Sequence, residues 1–209
     1  MNIKIIDDVI SKEDQDKLEE IIILDSHVPF YYNLDTVDLK LEQEIAEGIP
    51  NLLHHPQWVH MLYNSNLEEP VDSPYFEPIK NLFWETIKNY YPERIKINLL
   101  SPPITQNRDV FHVPHFDALT DKYVSMIYYI NDCDGDTYIF DQALEEWEDD
   151  LDPKENLLKY FPEKLTVHKR VSPKKGRKLI FSSNTFHASS PPFECDHRCV
   201  INMVLRKNR

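Results

Sequence analysis

The spacing of apolar residues changes period once along the chain, near Pro92. Before that point, residues 2–8 (NIKIIDD) alternate as a short strand, and residues 11–14 (SKED) read as a capping box. Leu18, Ile21 and Ile22 follow at helical spacing and predict a helix to about residue 24. Residues 28–75 are mixed: an aromatic FYYN, a polar stretch at LEQEIAEG and the run WVHMLYN share no single period. Glu77 and Pro78 open a second predicted helix, with Ile79, Leu82, Phe83, Ile87 and Tyr90 along one face, and Pro92 is expected to stop it.

Beyond Pro92 the pattern is that of strands. RIKINLL (94–100), VFHVP (110–114), YVSMIYYIN (123–131), TYIFD (137–141), LTVHKRV (165–171), RKLIF (177–181) and RCVINMVL (198–205) are short β-type runs. The turn signals SPPITQN, DCDGD, SPKKG and SSNT divide them. This spacing predicts a mainly β fold, a sandwich or barrel with flanking helices. An insertion at 142–164 interrupts the strands. Asp152, Pro153 and Glu155 look like a helix start inside it, its acidic run reads as a solvated face, and Trp147 reads as local packing.

Composition narrows the picture. A chain of 209 residues makes one domain, with residues 1–93 as strand and helix support and 94–206 as the β core. A net charge of -13 repels polyanions, so nucleic acid is a poor partner. Cys133, Cys195 and Cys199 are odd in number and lack Cys-x-x-Cys spacing, which fits reduced thiols in a cytoplasmic protein. The N-terminus carries no secretory signal, and no apolar run is long enough to span a membrane. Oligomeric state is not legible.

The candidate chemistry starts at HVPHFD, residues 112–117. On an extended chain His115 and Asp117 share a face, with Phe116 pointing away between them. His112 is expected at the surface, as are His54, His55 and His60 unless they are structural. His187 lies 70 residues beyond Asp117, just after RKLIF, and an antiparallel return brings it back beside the first pair. Two histidines and a carboxylate on one face of a metal form the facial triad of non-haem Fe(II) oxygenases. Arg198 opens an apolar strand, where a cation needs a counter-charge, and a bound dicarboxylate would supply one through a two-point contact. Tyr129 shares the inward parity of Ser125 and Ile127, and its hydroxyl is placed to add a hydrogen bond. Asn98, which alternates with Lys96, and Asn202 have inward parity and join the candidate cofactor-binding set.

HFD, IYYIN, DGDT, PKKGRKLIF, FHASSPP and HRCVINMVL occur in this order. Together they resemble the 2-oxoglutarate- and Fe(II)-dependent dioxygenases of the prolyl 4-hydroxylase type, including phage-encoded members, over residues 94–206. The resemblance implies a double-stranded β-helix, or jelly roll. It implies Fe(2+) held by His115, Asp117 and His187, with 2-oxoglutarate and O2 as co-substrates and ascorbate as an optional reductant. It puts Arg198 and Tyr129 on the distal carboxylate of 2-oxoglutarate, and Gly135 and Gly176 at strand turns that need positive φ. Gly135-Asp136-Thr137 departs from the family's Gly-Gly before the threonine. The implied reaction is hydroxylation of an unactivated C–H bond, in a protein side chain such as proline, with succinate and CO2 as co-products. A free amino acid or other small metabolite is the alternative substrate. A non-catalytic jelly-roll binding module and a cupin-like metal enzyme without 2-oxoglutarate are the competing functions.

Overall fold

The computed structural model describes residues 2–25, 27–34, 49–65 and 71–208; the polar stretch LEQEIAEG lies outside them. Eleven strands and four helices follow in the order β1 (Lys4–Ile6), α1 (Lys12–Glu19), β2 (Tyr31–Asn33), β3 (Gln57–Asn64), β4 (Val71–Asp72), α2 (Phe76–Leu82), α3 (Trp84–Ile87), β5 (Tyr90–Leu100), β6 (Tyr123–Tyr129), β7 (Thr137–Ala143), α4 (Pro153–Tyr160), β8 (Val167–Val171), β9 (Lys178–Ser182), β10 (Thr185–Ser189) and β11 (Arg198–Lys207) among the described residues. The larger sheet has the order β1-β9-β6-β11-β5-β3-β2, with β4 on β3; the smaller is β10-β7-β8. All pairings between strands are antiparallel. The arrangement is a jelly roll.

Strand parity decides what each face of the larger sheet touches. Met126, Tyr128 and Ile130 point outward with Ile95, Ile97, Ile201 and Met203, and Leu18, Ile22, Phe76, Ile79, Phe83 and Ile87 pack on them from the helices. The intervening residues Ile127, Tyr129 and Val200 point inward and meet Ile139 of β7, with Leu179, Phe181 and Val171. The far side of the smaller sheet is covered by the insertion: Trp147, Tyr160, Phe161 and Leu165 pack on Phe140 and Phe186. Fully burying one such side chain stabilises the fold by roughly 1.5–3 kcal/mol, so the helices and the insertion hold the two sheets from outside.

The structure departs from the sequence pattern in three places. The first predicted helix forms with Ser11 as its N-cap, but its last turn widens to a π-helical turn over Glu20–Leu24. The second ends early: Phe83 breaks it, and β5 begins at Tyr90 rather than after Pro92. Pro92 stands opposite Leu205 where the register shifts, a bulge that tolerates a residue without an N–H. Residues 110–115 form bridges rather than a regular strand: Leu52 pairs with Phe111 and His115 with His187. By contrast, the run WVHMLYN, which has no clear period, becomes β3 at the heart of the larger sheet's second half.

Two of the three glycines are required for different reasons. Gly176 adopts φ 81°, and a Cβ there would come within 2.5 Å of the Gln15 side chain. Gly135 does not have the positive φ expected of it. It is needed because a Cβ would meet Ser190 O at 2.7 Å and Arg198 Cδ at 2.9 Å. Gly176→Ala is expected to destabilise the protein by about 1–3 kcal/mol through this backbone strain and crowding. Urea denaturation should show a lower midpoint at an unchanged slope. An unchanged midpoint would mean the turn relaxes without cost.

Candidate metal centre

His115, Asp117 and His187 reach one point from two separate parts of the chain. The backbones of His115 and His187 exchange both hydrogen bonds, at 2.9 and 2.8 Å, so the two residues face each other as a single bridge. Their rings lie 4.4 Å apart, centre to centre. The Asp117 and Ala118 N–H groups both donate to the Ser183 carbonyl, which folds the carboxylate back toward the histidines. The donor atoms of all three side chains lie within 4.8 Å of one another. Phe116 turns away and packs on Phe186 and Trp147, as its parity predicts.

The protonation pattern suits a cation. His115 Nδ1 lies 3.1 Å from the Val113 carbonyl oxygen, and His187 Nδ1 lies 3.0 Å from that of Thr185. A carbonyl only accepts, so each Nδ1 carries the proton and each Nε2 keeps a lone pair. His187 Nε2 is buried with no hydrogen-bond partner. It faces Asp117 Oδ2 at 3.5 Å, and a lone pair set this close to a carboxylate oxygen fits a cation held between the two. Burial, and then the adjacent His187, lower the His115 pKa to about 3, and burial likewise lowers that of His187. Both rings are therefore neutral at pH 7. Burial acts to raise the pKa of Asp117, but His187, Arg94 and the Ser125 hydrogen bond outweigh it and hold the carboxyl well below the usual range. Neutral imidazoles and one carboxylate are the donor set that suits Fe(II).

Asp117 is clamped by two strands. Ser125 Oγ of β6 donates to one carboxylate oxygen at 2.6 Å, and Arg94 Nη2 of β5 donates to the other at 2.5 Å. In register, Ser125 and Arg94 flank Val204 of β11 on either side. Sequence reasoning missed Arg94. The available signal was a cation with the inward parity of Asn98 at the start of an otherwise apolar strand.

A cavity runs from the histidines to Arg198, lined by Asn98, Ile127, Thr137, Val200 and Asn202 as well. Arg198 is 3 % exposed. Its Nε donates to the Gly135 carbonyl at 2.7 Å and its Nη2 to Thr137 Oγ1 at 2.8 Å, and no carboxylate among the described residues pairs with it. Tyr129 is fully buried and directs its hydroxyl to the same Thr137 Oγ1 at 2.7 Å, rather than into the cavity. Thr137 thus joins arginine and tyrosine, and it too was missed by sequence reasoning. The DGDT turn was the available signal, since it places this threonine opposite Ser189, two residues beyond His187. The Oδ1 atoms of Asn98 and Asn202 are buried without partners.

His112 is not a surface residue. It is fully buried, with Nδ1 3.0 Å from Ser189 Oγ and its ring stacked on His55. His60 is structural, held between the Pro29 carbonyl and Ser73 Oγ. The structure also joins Cys133 and Cys195, which spacing does not connect: their sulfurs and the Asp134 carboxylate lie within 4.8 Å of one another. Asp134 accepts from the N–H groups of Phe193 and Glu194, so this cluster ties the turn before Gly135 to the loop before Arg198.

The lowered histidine pKa has a consequence for the metal-free protein. Its folded state resists protonation that the unfolded chain accepts at about pH 6.5. The stability this contributes is present above that pH and is lost as pH falls toward about 3, where His115 titrates in the fold. Urea midpoints of the metal-free protein should fall across this window, and the fall should be shallower in His115→Gln. Equal slopes in the two proteins would contradict the assigned burial.

Three comparisons bear on identity. A family model described as the 2OG-Fe(II) oxygenase superfamily matches residues 104–206, which include Asp117, His187 and Arg198. No curated protein matches the sequence. Among solved structures, a 2OG-Fe(II) oxygenase family oxidoreductase from Burkholderia pseudomallei has a TM-score of 0.57 at 15 % identity, over 93 % of this chain and 80 % of its own. A non-heme alpha ketoglutarate dependent epimerase, SnoN from nogalamycin biosynthesis, has a TM-score of 0.57 at 12 % identity, over 98 % and 78 %. A prolyl hydroxylase from Trichoplax adhaerens, in complex with a hypoxia inducible factor peptide fragment, has a TM-score of 0.52 at 13 % identity, over 98 % and 83 %. At these identities the structures speak for the fold. With the family match and a triad whose donor atoms converge inside that fold, residues 104–206 form a domain of the 2OG-Fe(II) oxygenase superfamily, whose members use Fe(II) and 2-oxoglutarate.

Proposed function

We propose that this oxygenase hydroxylates an unactivated C–H bond, with succinate and CO2 as co-products. In this reading His115 and His187, through Nε2, and Asp117 hold the metal. Fe(II), when bound, supplies the activation of dioxygen that such a bond requires. The rest is the work of the chain. Ser125 and Arg94 fix the carboxylate, and the Val113 and Thr185 carbonyls fix the ring orientations. Arg198 neutralises the distal carboxylate of 2-oxoglutarate, and Thr137, braced by Tyr129, holds the guanidinium in place. Asn98 and Asn202 offer the co-substrate two hydrogen-bonding side chains along the cavity wall. The observation that carries the reading is that His187, whose Nε2 has no hydrogen-bond partner, and a buried Arg198 that has no carboxylate partner among the described residues both line one cavity.

The first substrate to consider is a protein side chain such as proline. The likeness to a prolyl hydroxylase bound to a peptide supports this at the level of fold. A free amino acid or small metabolite is the second, and the dense packing of polar groups around the cavity favours it. No helix among the described residues is long and apolar enough to cross a membrane, and the acidic chain remains a poor partner for nucleic acid.

With Fe(II) and 2-oxoglutarate the protein should release succinate, and His187→Ala should reduce that release by about a hundredfold or more, as loss of a metal ligand does. Arg198→Met should raise the concentration of 2-oxoglutarate needed, with a smaller effect on the maximal rate. Products heavier by one oxygen atom, sought by mass spectrometry in a proteome digest and a metabolite pool, would distinguish the substrate classes. Undiminished succinate release from His187→Ala would refute the assignment.

A further inference from the structure

The inward face of β5 carries two cations beside the metal centre. Arg94 is satisfied by Asp117. Lys96 is not satisfied: it makes no ion pair or hydrogen bond among the described residues, although it is half-buried. It stands opposite Asn202 of β11 on one side and Met61 of β3 on the other, so by strand parity it shares the inward face with Asn98 and Asn202, which line the cavity. Its charge acts on both His115 and His187. Asp117 is the one anion among the described residues that acts on it, and that carboxylate is already committed to Arg94 and Ser125.

In the loaded site of the proposed reading, Asp117 offsets Arg94, and the dipositive metal offsets the dianionic co-substrate. Arg198 and Lys96 are left over as two positive charges on the inward face of the larger sheet. Arg198 at least has the distal carboxylate against it. It lies four residues along β11 from the Asn202 that Lys96 faces, roughly 13 Å away at strand rise. Lys96 has nothing. A buried cation persists when something it binds neutralises it.

We propose that Lys96 binds a carboxylate of the primary substrate, so that the molecule oxidised is a small organic acid or an acidic peptide rather than a neutral one. This rests on the oxygenase reading and specifies its substrate class. Lys96 would set both affinity and orientation, holding the carboxylate on β5 while the rest of the substrate reaches over the metal. Burial and the neighbouring Arg94 lower the Lys96 pKa to about 8, a cost that a bound anion would relieve.

The test uses the protein loaded anaerobically with Fe(II) and 2-oxoglutarate. Two probe sets are offered, a mixture of free amino acids and a mixture of short acidic peptides, each untreated and after methyl esterification of its carboxyl groups. Binding is read by ligand-observed NMR for wild type, Lys96→Met and Lys96→Arg. We expect untreated members of one mixture to bind and their esters not to, which also identifies the source of the carboxylate. Lys96→Met, which keeps the aliphatic stem, should weaken binding by about tenfold or more, as loss of one partner of a desolvated charge pair does, and Lys96→Arg should retain most of it. Affinity for 2-oxoglutarate, followed in the same samples, should not change in Lys96→Met. Equal binding of esters, unchanged binding in Lys96→Met, or no binding from any set would overturn the proposal. A parallel fall in 2-oxoglutarate affinity would assign Lys96 to the co-substrate and also overturn it. If the wild-type protein takes up no 2-oxoglutarate with its metal, the oxygenase reading itself fails.

Discussion

The two hydrogen bonds exchanged between the backbones of His115 and His187 are the constraint on which the site depends. They join an irregular segment to β10 at one point and set two imidazoles side by side without any contribution from the side chains. From that point the remaining geometry follows. The Nδ1 protons are taken up by carbonyls two residues back, the Nε2 lone pairs turn inward, and the Ser183 carbonyl draws Asp117 into the same space. The two histidines are thus positioned by strand pairing, which side-chain substitutions elsewhere in the core disturb least.

The larger sheet supplies everything else through parity. On β6, Ser125, Ile127 and Tyr129 lie on the inward face while Met126 and Tyr128 face the helices, and β11 and β5 repeat the alternation with Arg198, Val200 and Asn202 and with Arg94, Lys96 and Asn98. Each inward row therefore carries at least one polar group: Ser125 and Arg94, then Lys96 and Asn202, then Asn98 and Tyr129, then Arg198, while the residues between them seal the outer face. Three strands suffice to place the carboxylate clamp, the amide pair and the guanidinium in consecutive rows.

Much of this was legible in the sequence, because parity is a local property. The triad, Arg198 and the inward alternation of Tyr129, Asn98 and Asn202 could be read from period and spacing together with the family resemblance. What escaped depended on contacts between distant segments. Arg94 looked like an ordinary charged residue at a strand start until Asp117 came to lie over it. Thr137 was one polar residue in a turn until Tyr129 and Arg198 both pointed at it. His112 was expected at the surface because neither its neighbours nor its spacing disclose that Ser189 and His55 close over it. Pro92 was read as a helix stop, the usual meaning of proline after a helical run, whereas a register shift across β11 absorbs it inside a strand. Gly135 was assigned to backbone conformation when its true constraint is the approach of Ser190 and Arg198.

The burial of Arg198 sets how the cavity tells one guest from another. The guanidinium is tied to the Gly135 carbonyl and Thr137 and is almost wholly withdrawn from solvent, so its positive charge is little screened. An anion that reaches it is attracted several times more strongly than it would be by an arginine on the open surface, and a neutral molecule of the same shape gains nothing comparable. Discrimination by charge is thereby built into the wall itself.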